Sequence, residues 1–230
     1  MDLLTISQFL KAVIWDKKMW LIVGLITLSS IGATQFSSSG EWIFALFNNL
    51  LVNCYLVVVI SSIYYGKNPP EMKKILHNTT VSTLFNRQVL GVAVGILAGE
   101  LVALIGMILI AGLLGPLGMV VVIFYIFIFF GKMGVAFASS SAGEAFKEIF
   151  SGFYDIKYYL PRAGEYVSYF FLTVVGVIVG GIISIIGWQL SSISLPLGYL
   201  LIDGITTFLY ILGGIMGFLA VKGSEINRLL

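Results

Sequence analysis

Six apolar runs of about 20 residues each leave this chain few ways to fold, because that length of helix matches the roughly 30 Å hydrocarbon core of a bilayer. They lie near Met19 to Phe36, Trp42 to Tyr65, Val89 to Leu113, Leu117 to Ala138, Tyr166 to Leu190 and Tyr199 to Val221. Composition points the same way. With 59% hydrophobic and 10% charged residues and a mean hydropathy of +1.03, 230 residues carry too little polar surface to clothe a water-soluble globule. The predicted class is an all-α integral membrane protein with six transmembrane helices, forming one polytopic domain over 1–230.

The basic residues orient it. Lys11, Lys17 and Lys18 precede the first run, and Lys67, Lys73, Lys74 and Arg87 lie between the second and third. Lys147, Lys157 and Arg162 lie between the fourth and fifth, Lys222 and Arg228 follow the sixth, and Lys132 sits near the inner end of the fourth. The opposite loops, Ser37 to Glu41, Leu114 to Pro116 and Ser191 to Gly198, hold no Lys or Arg. Positive residues are retained in the cytoplasm, so both termini are expected there, in a cell-membrane protein with minimal outer loops. The net charge of +2 thus reflects topology, and no nucleic-acid partner is expected. Cys54 is the one cysteine and lies within an apolar run, which leaves it a packing role. Nothing at the N-terminus reads as a cleaved signal peptide.

The inner segments share a pattern. Thr5 with Gln8, Asn68 with Glu71, and Ser141 with Glu144 each match a capping residue followed three positions later by Glu or Gln, and Pro69 suits a first helical position. Ile6, Phe9, Leu10, Val13 and Ile14 then recur at helical spacing, as do Phe146, Ile149, Phe150 and Phe153, predicting one-sided helices in the headgroup region. The following spans end in Ser30-Ile31-Gly32, Leu104-Ile105-Gly106 and Ile185-Ile186-Gly187. Together these suggest three copies of one unit, a cytoplasmic amphipathic helix plus a transmembrane hairpin, over 1–66, 67–140 and 141–230.

Small residues mark where helices could touch. Gly91, Gly95, Gly99 and Gly106 form one stripe, Thr173, Gly176, Gly180, Ser184 and Gly187 another, and Gly214 and Gly217 continue the polar face of the last span. In lipid such residues let backbones approach, and apolar burial alone cannot drive association there.

Two acids fall inside apolar runs. Glu100 lies roughly 17 Å beyond the inner end of its helix, near the midplane, where a carboxylate costs several kcal/mol unless it is paired, neutralised or wetted. Asn53, one turn from Asn49, is its best predicted partner. Asp203, Thr206, Thr207 and Tyr210 share one face of the last span, either as a water-lined path for a cation or proton or as a hydrogen-bonded seam. Lys132 is explained by snorkelling to the inner surface.

No enzymatic signature occurs. A single histidine, His77, excludes HExxH and His-based clusters, and no GxSxG elbow or GxxxxGK[ST] loop is present. No catalytic residue, metal or cofactor is expected. The expected partners are the bilayer and either a second copy of the chain or a cytoplasmic protein.

Residues Ala142-Gly143-Glu144-Ala145-Phe146-Lys147-Glu148-Ile149-Phe150, the loop Gly66-Lys67-Asn68-Pro69-Pro70-Glu71 and the Gly-rich final hairpin around Pro196 resemble an uncharacterised, largely archaeal membrane-protein family, domain of unknown function number four-zero-one-three. The resemblance implies six spans and brings no binding or catalytic residues. Glu144-Ala145-Phe146, Gly152 and Leu160-Pro161 also resemble the coupling segment of permease subunits in ATP-driven transporters. That likeness implies an ATPase docked at 141–161. The sequence therefore predicts a non-enzymatic membrane protein, of transport type or a scaffold, with a permease subunit as the alternative.

Overall fold

The computed structural model describes residues 3–36, 38–66, 68–150 and 163–227. Among them every regular element is a helix. In chain order these are α1 (Leu3–Ile14), α2 (Lys17–Ala33), α3 (Ser38–Gly66), α4 (Pro69–Asn78), α5 (Val81–Leu84), α6 (Arg87–Ala136), α7 (Ala142–Phe150), α8 (Ala163–Ser191) and α9 (Leu195–Asn227). Phe153, Gly152, Lys157, Leu160, Pro161, Arg162, Lys67 and Arg228 lie outside the described residues.

Four stretches are long and apolar enough to cross a membrane: Glu41–Gly66 in α3, Arg87–Ile123 in α6, Ala163–Ser191 in α8 and Leu195–Lys222 in α9. At 17 residues, α2 sits at the lower edge of that range. The helix α6 is two limbs, because Gly115 leaves helical geometry at φ 54°, ψ −131° and Pro116 follows it. That positive φ suits glycine alone. Just past the break the limbs touch: a Cβ on Gly118 would lie 2.4 Å from the Ile110 carbonyl oxygen. The connection after α8 is likewise tighter than the predicted Ser191 to Gly198 loop. Only 192–194 lie outside helix, and Pro196 joins the first turn of α9, where its missing N–H is not needed.

The helix α3 is the centre and α8 the rim. Over its apolar window α3 is 56% buried and α8 only 11%, so α3 reads as hydrophobic all round while α8 presents Val167, Phe171, Ile178 and Ile185 outward. Glycines set the close approaches. Gly176, Gly180 and Gly187 on α8 seat Leu209, Ile205 and Ile202 of α9, and Gly214 seats Leu56 of α3. At Gly217 a Cβ would meet the Phe130 carbonyl oxygen at 2.3 Å.

The predicted stripe on α6 is corrected. Gly95 and Gly99 face the short helix α7, through the Ala142 backbone and the Ile149 side chain, and Cβ atoms on Gly91 and Gly106 would meet nothing within 4 Å. Both are half-buried, and neither forms a close helix contact. The inner helices need a matching correction. The apolar faces of α1 (Ile6, Phe9, Val13) and α7 (Ala145, Ile149) are buried within the protein, while Phe146 is exposed. Protein, not lipid, covers those faces because the glycine surface and α4 offer closer packing.

Capping follows the sequence at two of three places. Asn68 caps α4 by accepting from the Glu71 N–H at 2.9 Å. Ser141 accepts from the Glu144 N–H at 3.3 Å, and Glu144 returns a bond to the Ser140 N–H at 2.8 Å, one residue earlier than predicted. Those Ser140 bonds hold the exposed Glu144 carboxyl below its ordinary range, so the cap persists at neutral pH and is lost as pH falls through that lowered value. Thr5 is no cap, since α1 begins at Leu3 and Thr5 is already inside it.

Lys132 is also corrected. It is 2% exposed and its Nζ lies 2.9 Å from Glu148 Oε1, because α7 packs over the end of α6 and closes the route to solvent. Alongside it, the Tyr166 hydroxyl of α8 accepts from the Gly131 N–H at 3.0 Å and donates to the Phe127 carbonyl at 2.5 Å, within a cluster of Phe127, Phe130 and Phe170.

A polar cavity between α2, α3 and α9

Both acids predicted inside the apolar runs point into one region. The Asn49 amide of α3 donates to Glu100 Oε2 at 3.1 Å, and the Tyr210 hydroxyl of α9 sits in hydrogen-bond contact with Glu100 Oε1 and 3.1 Å from Asn53 Oδ1. The predicted pairing of Glu100 with Asn53 is present, as a side-chain interaction and through the shared Tyr210 hydroxyl, and Asn49 joins it with a direct bond. Helical geometry explains the grouping, since 49 and 53 share a face of α3 and the acid on α6 meets that face between them.

Two turns away along α9, Asp203 Oδ1 accepts from the Ser30 hydroxyl at 3.2 Å, and the Asn48 amide donates to that same hydroxyl at 3.3 Å. Between the two groups lies a cavity of about 210 Å³, lined by Asn48, Asn49, Asp203, Thr206, Thr207 and Tyr210. Glu100 stands behind Asn49 and Tyr210. All seven residues singled out from the sequence as an intramembrane polar site thus belong to one constellation. Gly214 and Gly217, on the continuation of the same face, are packing positions.

Several buried polar atoms of these helices make no close hydrogen bond: Thr27 Oγ1, Ser29 Oγ, Asn48 Oδ1, Asn53 Nδ2 and Asp203 Oδ2, although Thr27 still interacts with the Asp203 carboxyl and Asn53 with that of Glu100. An unsatisfied buried polar atom costs on the order of 1–3 kcal/mol, so the two that line the cavity, Asn48 Oδ1 and Asp203 Oδ2, need a reason. Hydroxyls elsewhere in these helices bond to the carbonyl one turn back, as Ser62 does to Val58 and Thr173 to Tyr169. Thr27 and Ser29 do not. Thr27, only 7% exposed, faces the Asp203 carboxylate instead.

The cavity is closed at its other end. Below Asn53, Tyr55, Leu56, Val59, Ile60, Ile211, Ile215 and Phe218 are all fully buried. The cavity therefore belongs to the half of the helices nearer the C-terminal end of α2 and the connection 192–194, and apolar packing blocks the half nearer the basic residues.

Thr27, Ser29, Ser30 and Asn48 were not singled out from the sequence. A signal was present: Thr27 and Ser30 are one turn apart in an apolar run, and Asn48-Asn49 is a polar pair in another. Of the permease-like segment, Glu144 is engaged with Ser140 in the α7 cap. Among the described residues no group of three or more His, Cys, Asp or Glu converges. Comparison of the chain with family models, with curated proteins and with solved structures finds no match.

Proposed function

We propose that this chain is a non-enzymatic cell-membrane protein of transport type, with six spans in three hairpins, that admits a small singly charged cation or a proton to the cavity beside Asp203. The six spans are α2, α3, the two limbs of α6, α8 and α9. The element order supports this reading, with α1, α4 and α7 each preceding a pair. Affiliation with the archaeal family rests on residues 66–71, residues 142–150 and the Gly-rich final hairpin around Pro196.

The observation that carries the proposal is the cavity itself: Asp203 and Asn48 both line it, and each keeps one side-chain oxygen, Asp203 Oδ2 and Asn48 Oδ1, without a close hydrogen bond. A hydrogen-bonded seam would have closed on itself. An oxygen set with one nearby carboxylate suits a singly charged ion, since divalent sites in proteins gather more carboxylate. With basic ends in the cytoplasm, the cavity faces outward and the Tyr55 to Phe218 packing is the inner gate.

The test is flux in liposomes holding the purified chain, with sodium, potassium and proton gradients applied in turn. Asp203→Asn and Glu100→Gln are each expected to lower the flux at least tenfold while leaving the folded protein monodisperse. No flux of any of the three ions through the unmodified protein overturns the proposal. Orientation has its own check. Cys54 is 1% exposed, so a cysteine introduced at Lys147 is the reactive thiol. It is expected to label only from the cytoplasmic side, and labelling by an impermeant probe from outside would reverse the topology.

A further inference from the structure

The basic end of the molecule holds a second hollow, unrelated to the cavity above. The helices α1 and α4 diverge to leave a groove of about 610 Å³ whose polar walls are Gln8, Lys11 and Lys73, with Trp15 at its mouth. A smaller hollow of about 230 Å³ adjoins it, shares Trp15 and Lys73, and adds Lys17 and His77.

Charge, depth and shape at this groove point to one kind of ligand. Asp16 lines the smaller hollow but is committed elsewhere, to Lys18 Nζ at 2.9 Å and to the Tyr55 hydroxyl at 2.9 Å. Lys18 in turn donates to the Leu76 carbonyl at 2.7 Å. Lys11, Lys17 and Lys73 are exposed and make no ion pair among the described residues. Three positive charges therefore face the hollows without local neutralisation.

Depth is set by aromatics. Trp15 is 79% exposed, Trp20 54% and Tyr65 71%, clustered where α2 begins and α3 ends. Trp and Tyr in that state mark the level of lipid headgroups. Trp20 bonds to the Ile14 carbonyl at 2.8 Å, which ties the groove's rim to the outward apolar face of α2, where Leu21 and Leu28 are exposed. A phosphate held by Lys11 and Lys73 would have acyl chains continue down that face.

We propose that the groove between α1 and α4 binds the headgroup of an anionic glycerophospholipid. Basic hollows beside transmembrane helices on the cytoplasmic side suit such headgroups, each Lys contributing about 1 kcal/mol near an anionic surface. The site is independent of the ion cavity and stands whether or not any flux is found.

The test uses the purified full chain in a non-ionic detergent. Phosphatidylglycerol, phosphatidylcholine of matched acyl chains, and inorganic phosphate are titrated separately, with bound lipid read by native mass spectrometry and the unfolding midpoint read in parallel. Phosphatidylglycerol is expected to be retained and to raise the midpoint, with little effect from the other two. In Lys11→Gln/Lys73→Gln its apparent affinity should fall about 30-fold, roughly fivefold per lysine. Equal retention of phosphatidylcholine overturns the proposal, as does unchanged binding in the double variant. If inorganic phosphate alone reproduces the shift, the groove is a simple anion site and the lipid assignment fails. Should the double variant not fold, the preference of the unmodified chain for phosphatidylglycerol over phosphatidylcholine decides the matter.

Discussion

Gly134→Ala is expected to destabilise the folded chain by about 3 kcal/mol, from the addition of one methyl group. A Cβ at Gly134 would lie 2.1 Å from the Phe218 nitrogen and 2.4 Å from the Gly217 carbonyl carbon, both backbone atoms of α9. No rotamer change can clear a backbone clash, so the second limb of α6 and α9 must separate. They also carry Phe130 against Gly217 and, through Tyr166, the start of α8. Separation would therefore loosen three helices. Gly91→Ala and Gly106→Ala are the controls, because their Cβ atoms meet nothing within 4 Å and alanine is the better helix former by about 1 kcal/mol. Unfolding of each variant in detergent, followed by helical circular dichroism, measures the difference. A Gly134→Ala protein as stable as Gly91→Ala would mean that the α6 to α9 contact is looser than its backbones indicate.

Glu148→Ala is expected to cost about 3 kcal/mol, more than Lys132→Met at the other end of the same pair. The asymmetry comes from burial. Lys132 is 2% exposed and Glu148 29%, so a carboxylate left behind can rehydrate whereas the ammonium cannot. Removing Glu148 takes away the counter-charge 2.9 Å from a buried cation, and the remaining contacts of Lys132 must then carry a desolvated charge. Removing Lys132 exchanges it for an apolar chain of similar length. The double variant Lys132→Met/Glu148→Leu is expected to recover most of the loss, since apolar replacements of buried ion pairs are often neutral. Unfolding of all four proteins closes the double-mutant cycle. A larger loss for Lys132→Met than for Glu148→Ala would overturn this account.

Both results concern features that the chain displays as letters but not as contacts. Gly134 is one glycine among 26, and nothing in its neighbours separates it from Gly91. Which glycine meets a backbone depends on helix crossing, which is set by all the side chains of both helices together. Lys132 read as a snorkelling residue because its position near a helix end is local information. Its burial depends on α7, which the sequence placed in the headgroup region instead of on α6. The apolar face of α7 was legible, but its partner was not, since an amphipathic pattern states that a face is covered without stating by what.

The cavity shows the same division. The position of Glu100 within an apolar run and the polar face from Asp203 to Tyr210 follow from counting along single helices, and the residues of that face do line one cavity. Their convergence does not follow, because three helices from distant parts of the chain must meet for Asn49, Glu100 and Tyr210 to bond. Asn53 was legible as a partner of Glu100 from depth alone, whereas Asn49 and Tyr210 join that pair only through the crossing of three helices.

What the sequence determined by itself is the one-dimensional part: apolar helices of bilayer length, the segregation of basic residues, the caps at Asn68 and Ser141, and the break at Gly115 and Pro116. Each depends on residues within a turn or two of one another, or on hydropathy summed along one helix. Only the tertiary structure decided that α3 lies at the centre, that α7 and not a neighbouring span fills Gly95 and Gly99 of α6, and that two acids about a hundred residues apart share a polar region in which Asp203 Oδ2 and Asn48 Oδ1 make no close hydrogen bond. Helix packing selects among many pairings with similar apolar faces, and the deciding differences are single methyl groups and hydrogen bonds between elements, which no single helix records.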